Sequence, residues 1–276
     1  WLTNENGPAH HSPSNFYFPV RKDTHARMID ESELLQQIHA AVEQFWTERL
    51  SAAERQRLRG NSDAGTRGQV TSGRAMDGFA NIVKSIALHA GISENDVHVE
   101  KSGITLPGYF RPAKRWDVTI YYKNSLLAAI ELKSHAGKSM GNNFNNRCEE
   151  ALGSAVDFWH AHDDAFCEAN QVRPFVGWLM LVESNPTSTS IHKKLANSLL
   201  QLDGSFKYTS YVDRYALFAE RLIDTNLYTA CCLLTTKANN SSVSGIGYPS
   251  GRLNPTSFFR SLLTHLERSV AILDEQ

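Results

Sequence analysis

Trp116-Asp117-Val118-Thr119-Ile120-Tyr121-Tyr122-Lys123-Asn124-Ser125-Leu126-Leu127-Ala128-Ala129-Ile130-Glu131-Leu132-Lys133 is the stretch that decides the fold. Residues 118–122 are β-branched or aromatic, as a strand prefers. Residues 126–132 carry a long apolar run without Pro or Gly. Lys123, Asn124 and Ser125 between them supply turn chemistry. The stretch predicts a β-hairpin. If its turn centres on Asn124, Asp117 stands opposite Glu131, and opposed Cβ atoms lie about 4.5–5.5 Å apart. Glu131 and Lys133 share one face of the strand, while Leu132 points into the core.

Two carboxylates so close need a compensating charge. A hard cation supplies it. Mg²⁺ takes oxygen ligands, keeps several waters and binds one or two protein carboxylates together with phosphate. The pattern therefore casts Asp117 and Glu131 as metal ligands, with the Leu132 carbonyl as a further donor. Lys133 is placed to orient a nucleophile or to offset charge on a transition-state phosphorane. A surface hairpin with an ordinary cross-strand ion pair is the alternative. The apolar run at 126–130 argues against it, because a strand buried on both faces should not end in Glu and Lys without a reason.

The 276-residue chain is 41% apolar and 21% charged, with a net charge of −1. These values fit a soluble globular protein and do not suggest a nonspecific nucleic-acid binder. No apolar run reaches transmembrane length, and the first residues are not patterned as a signal peptide. The cysteines are Cys148, Cys167, Cys231 and Cys232, without zinc-ligand spacing. A reduced, cytoplasmic protein is the expectation. Basic residues cluster at Arg55, Arg57, Arg59, Arg67 and Arg74, at Arg111, Lys114 and Arg115, and at His192, Lys193 and Lys194. The second cluster precedes the hairpin, where a phosphate backbone would lie beside the metal.

Residues 1–28 are polar and contain proline, so they read as an arm, with one domain over 29–276. Asp30 or Ser32 can cap a helix to about Leu50, and Ser51-Ala52-Ala53-Glu54 reads as a capping box for a separate short helix. Four glycines at 60–73 indicate a loop. Helices are predicted at 76–90, 147–167, 191–202, 211–225 and 255–273, and strands at 97–101, 174–182 and 227–235. Strands alternating with helices give a mixed α/β layer fold.

A polar loop is expected over 134–146. Its Asn142, Asn143, Asn145 and Asn146, with Arg147 beyond, carry groups that read adenine and guanine edges. A helix start decorated with cap-forming Asn is the competing reading. Asp77, opening the helix before the hairpin, is a further acidic candidate for the site, or simply a first-turn acid.

Asp117 with Glu131-Leu132-Lys133 resembles the PD-(D/E)xK nuclease signature, with Trp116 where the literal motif has Pro. The surrounding residues resemble the XhoI family of type II restriction endonucleases. These are Leu106-Pro107-Gly108-Tyr109-Phe110-Arg111-Pro112, Gly141 to Arg147, Glu149-Glu150-Ala151 and Asp157-Phe158-Trp159. His135 and Cys148 depart from the pattern. The resemblance implies a restriction-endonuclease-like core, a central mixed β-sheet flanked by helices. It implies a homodimeric, Mg²⁺-dependent enzyme that cuts double-stranded DNA at a palindrome, CTCGAG for XhoI-like enzymes, beside a cognate methyltransferase. Asp117, Glu131 and Lys133 would be catalytic. A structure-specific repair or junction nuclease of the same superfamily, and a DNA-binding module without catalysis, are the other readings of these residues.

Overall fold

The expected hairpin forms the middle of the molecule. In a computed structural model, β4 (Val118–Tyr122) and β5 (Ser125–His135) pair antiparallel across Lys123 and Asn124. Both turn residues have positive φ, 45° and 65°, the signature of a two-residue I′ turn. Val118 pairs with Ile130, Thr119 with Ala129 and Ile120 with Ala128, the register that centring on Asn124 predicts. Nearer the turn the register slips by one, with Tyr121 opposite Leu126 and Tyr122 opposite Ser125. A bulge absorbs the difference, and Leu127 and Ala128 both enter the same core.

The structure describes residues 30–58, 75–99, 104–137, 139–166, 172–192, 203–238 and 243–275. Within them β1 (Val97–Val99), β6 (Phe175–Glu183), β7 (Ala230–Ala238) and β8 (Val243–Gly247) complete a six-stranded sheet, ordered β1-β4-β5-β6-β7-β8. β5, β6 and β7 run parallel and the outer pairs antiparallel, so the sheet is mixed. A separate two-stranded sheet, β2 (Thr105–Pro107) with β3 (Ala113–Arg115), lies just before β4.

Helices cover both faces. α1 (Glu31–Leu58), α2 (Asp77–His89) and α6 (Pro255–Asp274) pack Leu34, Ile38, Phe45, Phe79, Phe258 and Leu262 against Ile130, Leu132 and Leu179. α3 (Met140–Ala161) and α5 (Tyr211–Asp224) bring Ala155, Phe158, Tyr215 and Ala219 against Trp116, Trp178 and Met180. A sheet sandwiched this way needs apolar residues on both faces, which explains the unbroken apolar runs of β5 and β6. The mixed α/β architecture with a central sheet is as expected. A four-residue helix, α4 (Pro186–Thr189), follows β6. Among the described residues no helix is long and apolar enough to cross a membrane.

Several expectations are corrected. α1 is one continuous helix from the Asp30 cap to Leu58, with no break at Ser51. Nothing between Leu50 and Leu58 stops a helix, and Ala52, Ala53 and Glu54 favour one. Most of the polar segment 134–146 is strand or helix rather than loop. β5 continues to His135, and α3 starts at Met140. Packing of Met140, Phe144 and Ala151 overrides the weak helix preference of Asn. β7 begins at Ala230, because Leu227 and Tyr228 donate to the Leu222 carbonyl and close α5. Ile191 and His192 are not helical, and His192 bridges Thr209. β2, β3 and β8 are too short to show as patterns. The arm 1–28, the glycine-rich 60–73, most of 191–202 and the residues Arg59, Arg67, Arg74, Cys167, Lys193 and Lys194 lie outside the described residues.

Candidate active site

Glu131, Lys133 and His135 alternate along β5 on the face that α3 covers. The side chain of Glu131 is only 3% exposed. A buried carboxylate requires partners, and it has two: the Lys133 and Lys114 ammonium groups both pair with it. Lys133 also donates to Oδ2 of Asp117 at 2.8 Å. The same oxygen accepts the Leu132 N–H at 2.7 Å. Asp117 sits one residue before β4 and is tied to β5 by its own N–H, which donates to the Ile130 carbonyl at 3.1 Å. The structure thus brings Asp117, Glu131 and Lys133 together, as the hairpin register predicts. Burial alone would lower the Lys133 pKa, but Glu131 and Asp117 outweigh it and hold the ammonium above its ordinary range.

These groups line a cleft of about 1010 Å³. Asp77, Arg111, Lys114, Arg115, Asn143, Arg147 and Asp157 also line it. Asp77, at the start of α2, thus lines the same cleft. The basic cluster before the hairpin divides by role. Arg115 is exposed. Lys114, on β3, is turned inward, with its side chain 13% exposed, its Nζ 4.9 Å from the Trp116 ring centroid and its charge on Glu131. Arg111 donates from Nε to Oδ2 of Asp157 at 2.7 Å.

The asparagines divide too. Asn143 and Arg147, one helical turn apart, face the cleft. Asn142, Asn145 and Asn146 lie exposed on the outer face of α3. Arg147 pairs with Glu150.

Three groups escaped sequence reading as parts of the site: Lys114 as a partner of Glu131, His135 and Asp157. His135 is buried, with Nδ1 2.8 Å from the Tyr215 hydroxyl and Nε2 3.3 Å from Asn143 Nδ2. Burial first, and Arg147 and Arg49 with it, push its pKa down to about 4, so the ring is neutral near pH 7. Asp157 is 2% exposed and accepts the Tyr109 and Phe110 N–H groups at 2.9 and 2.7 Å on Oδ1. Burial works to raise its pKa, but these bonds and Arg111 prevail and hold the carboxyl below its ordinary range. A signal existed for Asp157: it stands on the apolar face of α3 beside Phe158 and Ala161, where an unpaired acid is costly.

Among the described residues no group of three or more His, Cys, Asp and Glu side chains is arranged to hold a metal ion. The donors at hand are two carboxylates and a main-chain carbonyl. Because the Leu132 N–H points toward Asp117, its carbonyl leaves β5 on the same side. This is a hard-oxygen donor set compatible with Mg²⁺, which needs few protein ligands when phosphate and water fill the rest.

Comparison with known proteins shows the family. The family model described as restriction endonuclease XhoI matches residues 55–247. Type II restriction enzyme BstVI of Geobacillus stearothermophilus is 40% identical over 217 residues, covering 76% of this chain and 95% of that protein. Type II restriction enzyme XhoI of Xanthomonas vasicola is 39% identical over 196 residues, 71% of this chain and 77% of that one. Type II restriction enzyme AbrI of Azospirillum brasilense is 45% identical over 149 residues, 54% of this chain and 66% of that one. No solved structure matches the chain. With a buried carboxylate–lysine site on a mixed sheet and a family match over most of its length, this chain belongs to the XhoI family of type II restriction endonucleases.

Proposed function

We propose that this chain is a Mg²⁺-dependent, homodimeric type II endonuclease that cuts both strands of double-stranded DNA at a palindrome, CTCGAG or a close relative. It would act in the cytoplasm as the nuclease partner of a methyltransferase for the same site. Residues 29–276 would work as a single endonuclease domain, preceded by the arm at 1–28. The observation that carries the reading is Lys133, which bonds Asp117 and pairs with Glu131 at once, in a cleft lined by Arg111, Lys114, Arg115 and Arg147.

The geometry supports a role for each residue. Asp117, Glu131 and the Leu132 carbonyl would hold Mg²⁺. When bound, the ion supplies Lewis acidity at the phosphate and a more acidic water. Lys133, tied to Asp117 and Glu131, is fixed where it can orient an attacking water and offset negative charge on the phosphorane. Arg115 and Arg111, both exposed on the cleft wall, would meet the phosphate backbone first, and Lys114 would join them only from its place on Glu131. Asp77 would be a further acid in the cleft. Asn143 and Arg147 on the cleft side of α3, with Asn142, Asn145 and Asn146 on its exposed outer side, would supply the base-reading groups, on an element that fits the major groove. A two-fold dimer matches the symmetry of a palindrome.

Mapping the cleavage ends on plasmid DNA of known sequence, with Mg²⁺, tests the reading. Discrete fragments ending at one palindrome are the expected result. Smears or nicks at junctions would identify a structure-specific nuclease instead. Binding without cleavage would identify a DNA-binding module.

A further inference from the structure

The turn at residues 108–112, between β2 and β3, is pinned from beneath and bare on top. Asp157 reaches up from α3 and takes two main-chain N–H groups and the Arg111 guanidinium. Gly108 permits the approach, because a Cβ there would fall 2.7 Å from Asp157 Oδ2 and closer still to the Arg111 carbonyl. On the outer side Tyr109 is 53% and Phe110 67% exposed. Their rings meet edge-on at 4.9 Å, and each rests against His160, at 5.2 and 5.4 Å. An exposed Phe is ordinary in isolation. A turn held by a buried carboxylate so that two aromatics stand in water is pre-organised, and pre-organisation lowers the cost of binding.

The surroundings specify what these rings meet. Phe110 lines the same cleft as Asp117, Glu131 and Lys133. Arg111, Lys114 and Arg115 follow it on the same strand and turn. Aromatics interleaved with cations suit a nucleic acid, with bases stacking on rings while the cations meet phosphate. An apolar protein partner would meet the exposed guanidinium groups of Arg111 and Arg115 at its rim.

We propose that residues 108–112 form an aromatic wedge for duplex DNA, in which Phe110, steadied by Tyr109 and His160, packs against the base stack beside the scissile phosphate and loosens one base step. Asp157 is the positioning residue of the wedge. The inference rests on the endonuclease reading and adds a contact to it.

The test uses the full chain with Ca²⁺ in place of Mg²⁺. Duplexes containing the mapped site carry 2-aminopurine at one position each, through the site and its flanks. With the wild type, fluorescence should rise at one step, where stacking is lost. Phe110→Ala should abolish that rise and weaken binding about thirtyfold, the middle of the range for losing one stacked base. Phe110→Trp should keep both. Wild-type protein that binds the site with no responsive position, or Phe110→Ala that binds and unstacks as the wild type does, would overturn the wedge and leave the endonuclease reading standing. A change in sedimentation of the DNA-free Phe110→Ala protein would assign the surface to contact between copies and overturn the wedge as well. Wild-type protein that binds no duplex would overturn the endonuclease reading and the wedge together.

Discussion

Replacing Glu131 with Gln tests whether the site is electrostatically balanced. Asp117 and Glu131 face the ammonium groups of Lys114 and Lys133, two charges of each sign. Glu131→Gln keeps the shape and leaves one positive charge in excess. Lys133 retains Asp117 at 2.8 Å, so Lys114, 13% exposed and left with the Arg115 carbonyl at 3.0 Å, bears most of the loss. Removing one partner of a buried pair costs about 3–5 kcal/mol. Partial access of both lysines to the cleft reduces this to about 2–3 kcal/mol. Urea unfolding at pH 7 without divalent metal measures it. The double variant Glu131→Gln with Lys114→Met restores the balance and should recover about 1–2 kcal/mol of the loss. Cleavage should fall by about a thousandfold or more in both. A catalytic carboxylate held in like-charge strain would behave oppositely: Glu131→Gln would stabilise the protein. That result, or a double variant no more stable than Glu131→Gln alone, would refute the balanced arrangement.

Three further outcomes are expected. Lys133→Ala should lose cleavage yet still bind its site specifically in Ca²⁺, as gel shifts against a scrambled duplex can show; an unchanged cleavage rate would remove Lys133 from the chemistry. Asn143→Ala and Arg147→Ala should each weaken specific binding more than nonspecific binding, by about 1–3 kcal/mol if the side chain makes a bidentate base contact. Equal losses on both DNAs would mean phosphate contact instead. His135 has a folded pKa of about 4, against about 6.5 when unfolded. Below pH 6.5 the unfolded chain therefore binds the extra proton. Stability should decline from there down to about pH 4, with roughly 2 kcal/mol lost by pH 5 from this group. His135→Gln should flatten that decline in urea titrations run from pH 7 to pH 4.5, and an identical slope in the variant would contradict the assignment.

Much of the fold was legible because it is written in local pattern. The apolar run of β5, the turn at Lys123-Asn124 and the amphipathic α2, α5 and α6 report periodicity that a short window contains. Errors fell where the local preference is weak and packing decides. Ser51 reads as a cap only if the chain turns there, and in α1 it does not. The asparagines at 142–146 favour a loop in isolation, but Met140 and Phe144 dock on the core and draw them into a helix.

For the site, the sequence alone determined the Asp117, Glu131 and Lys133 set. Strand alternation and one turn bring these residues together, and both are short-range properties of the backbone. Resemblance in the surrounding residues pointed to a nuclease family. Only the tertiary structure decided how the charges are shared. Lys114 neutralises Glu131 from a different sheet, and Asp157 pins a turn 47 residues before it in the chain. Asn143 faces the cleft while Asn142, its neighbour in sequence, faces away. No window of sequence encodes such contacts, because they depend on where the two-stranded sheet and α3 come to rest against β5. A buried charge needs a partner whatever its distance along the chain. The sequence could show that Glu131 must have one, and the packing alone determined that it has two.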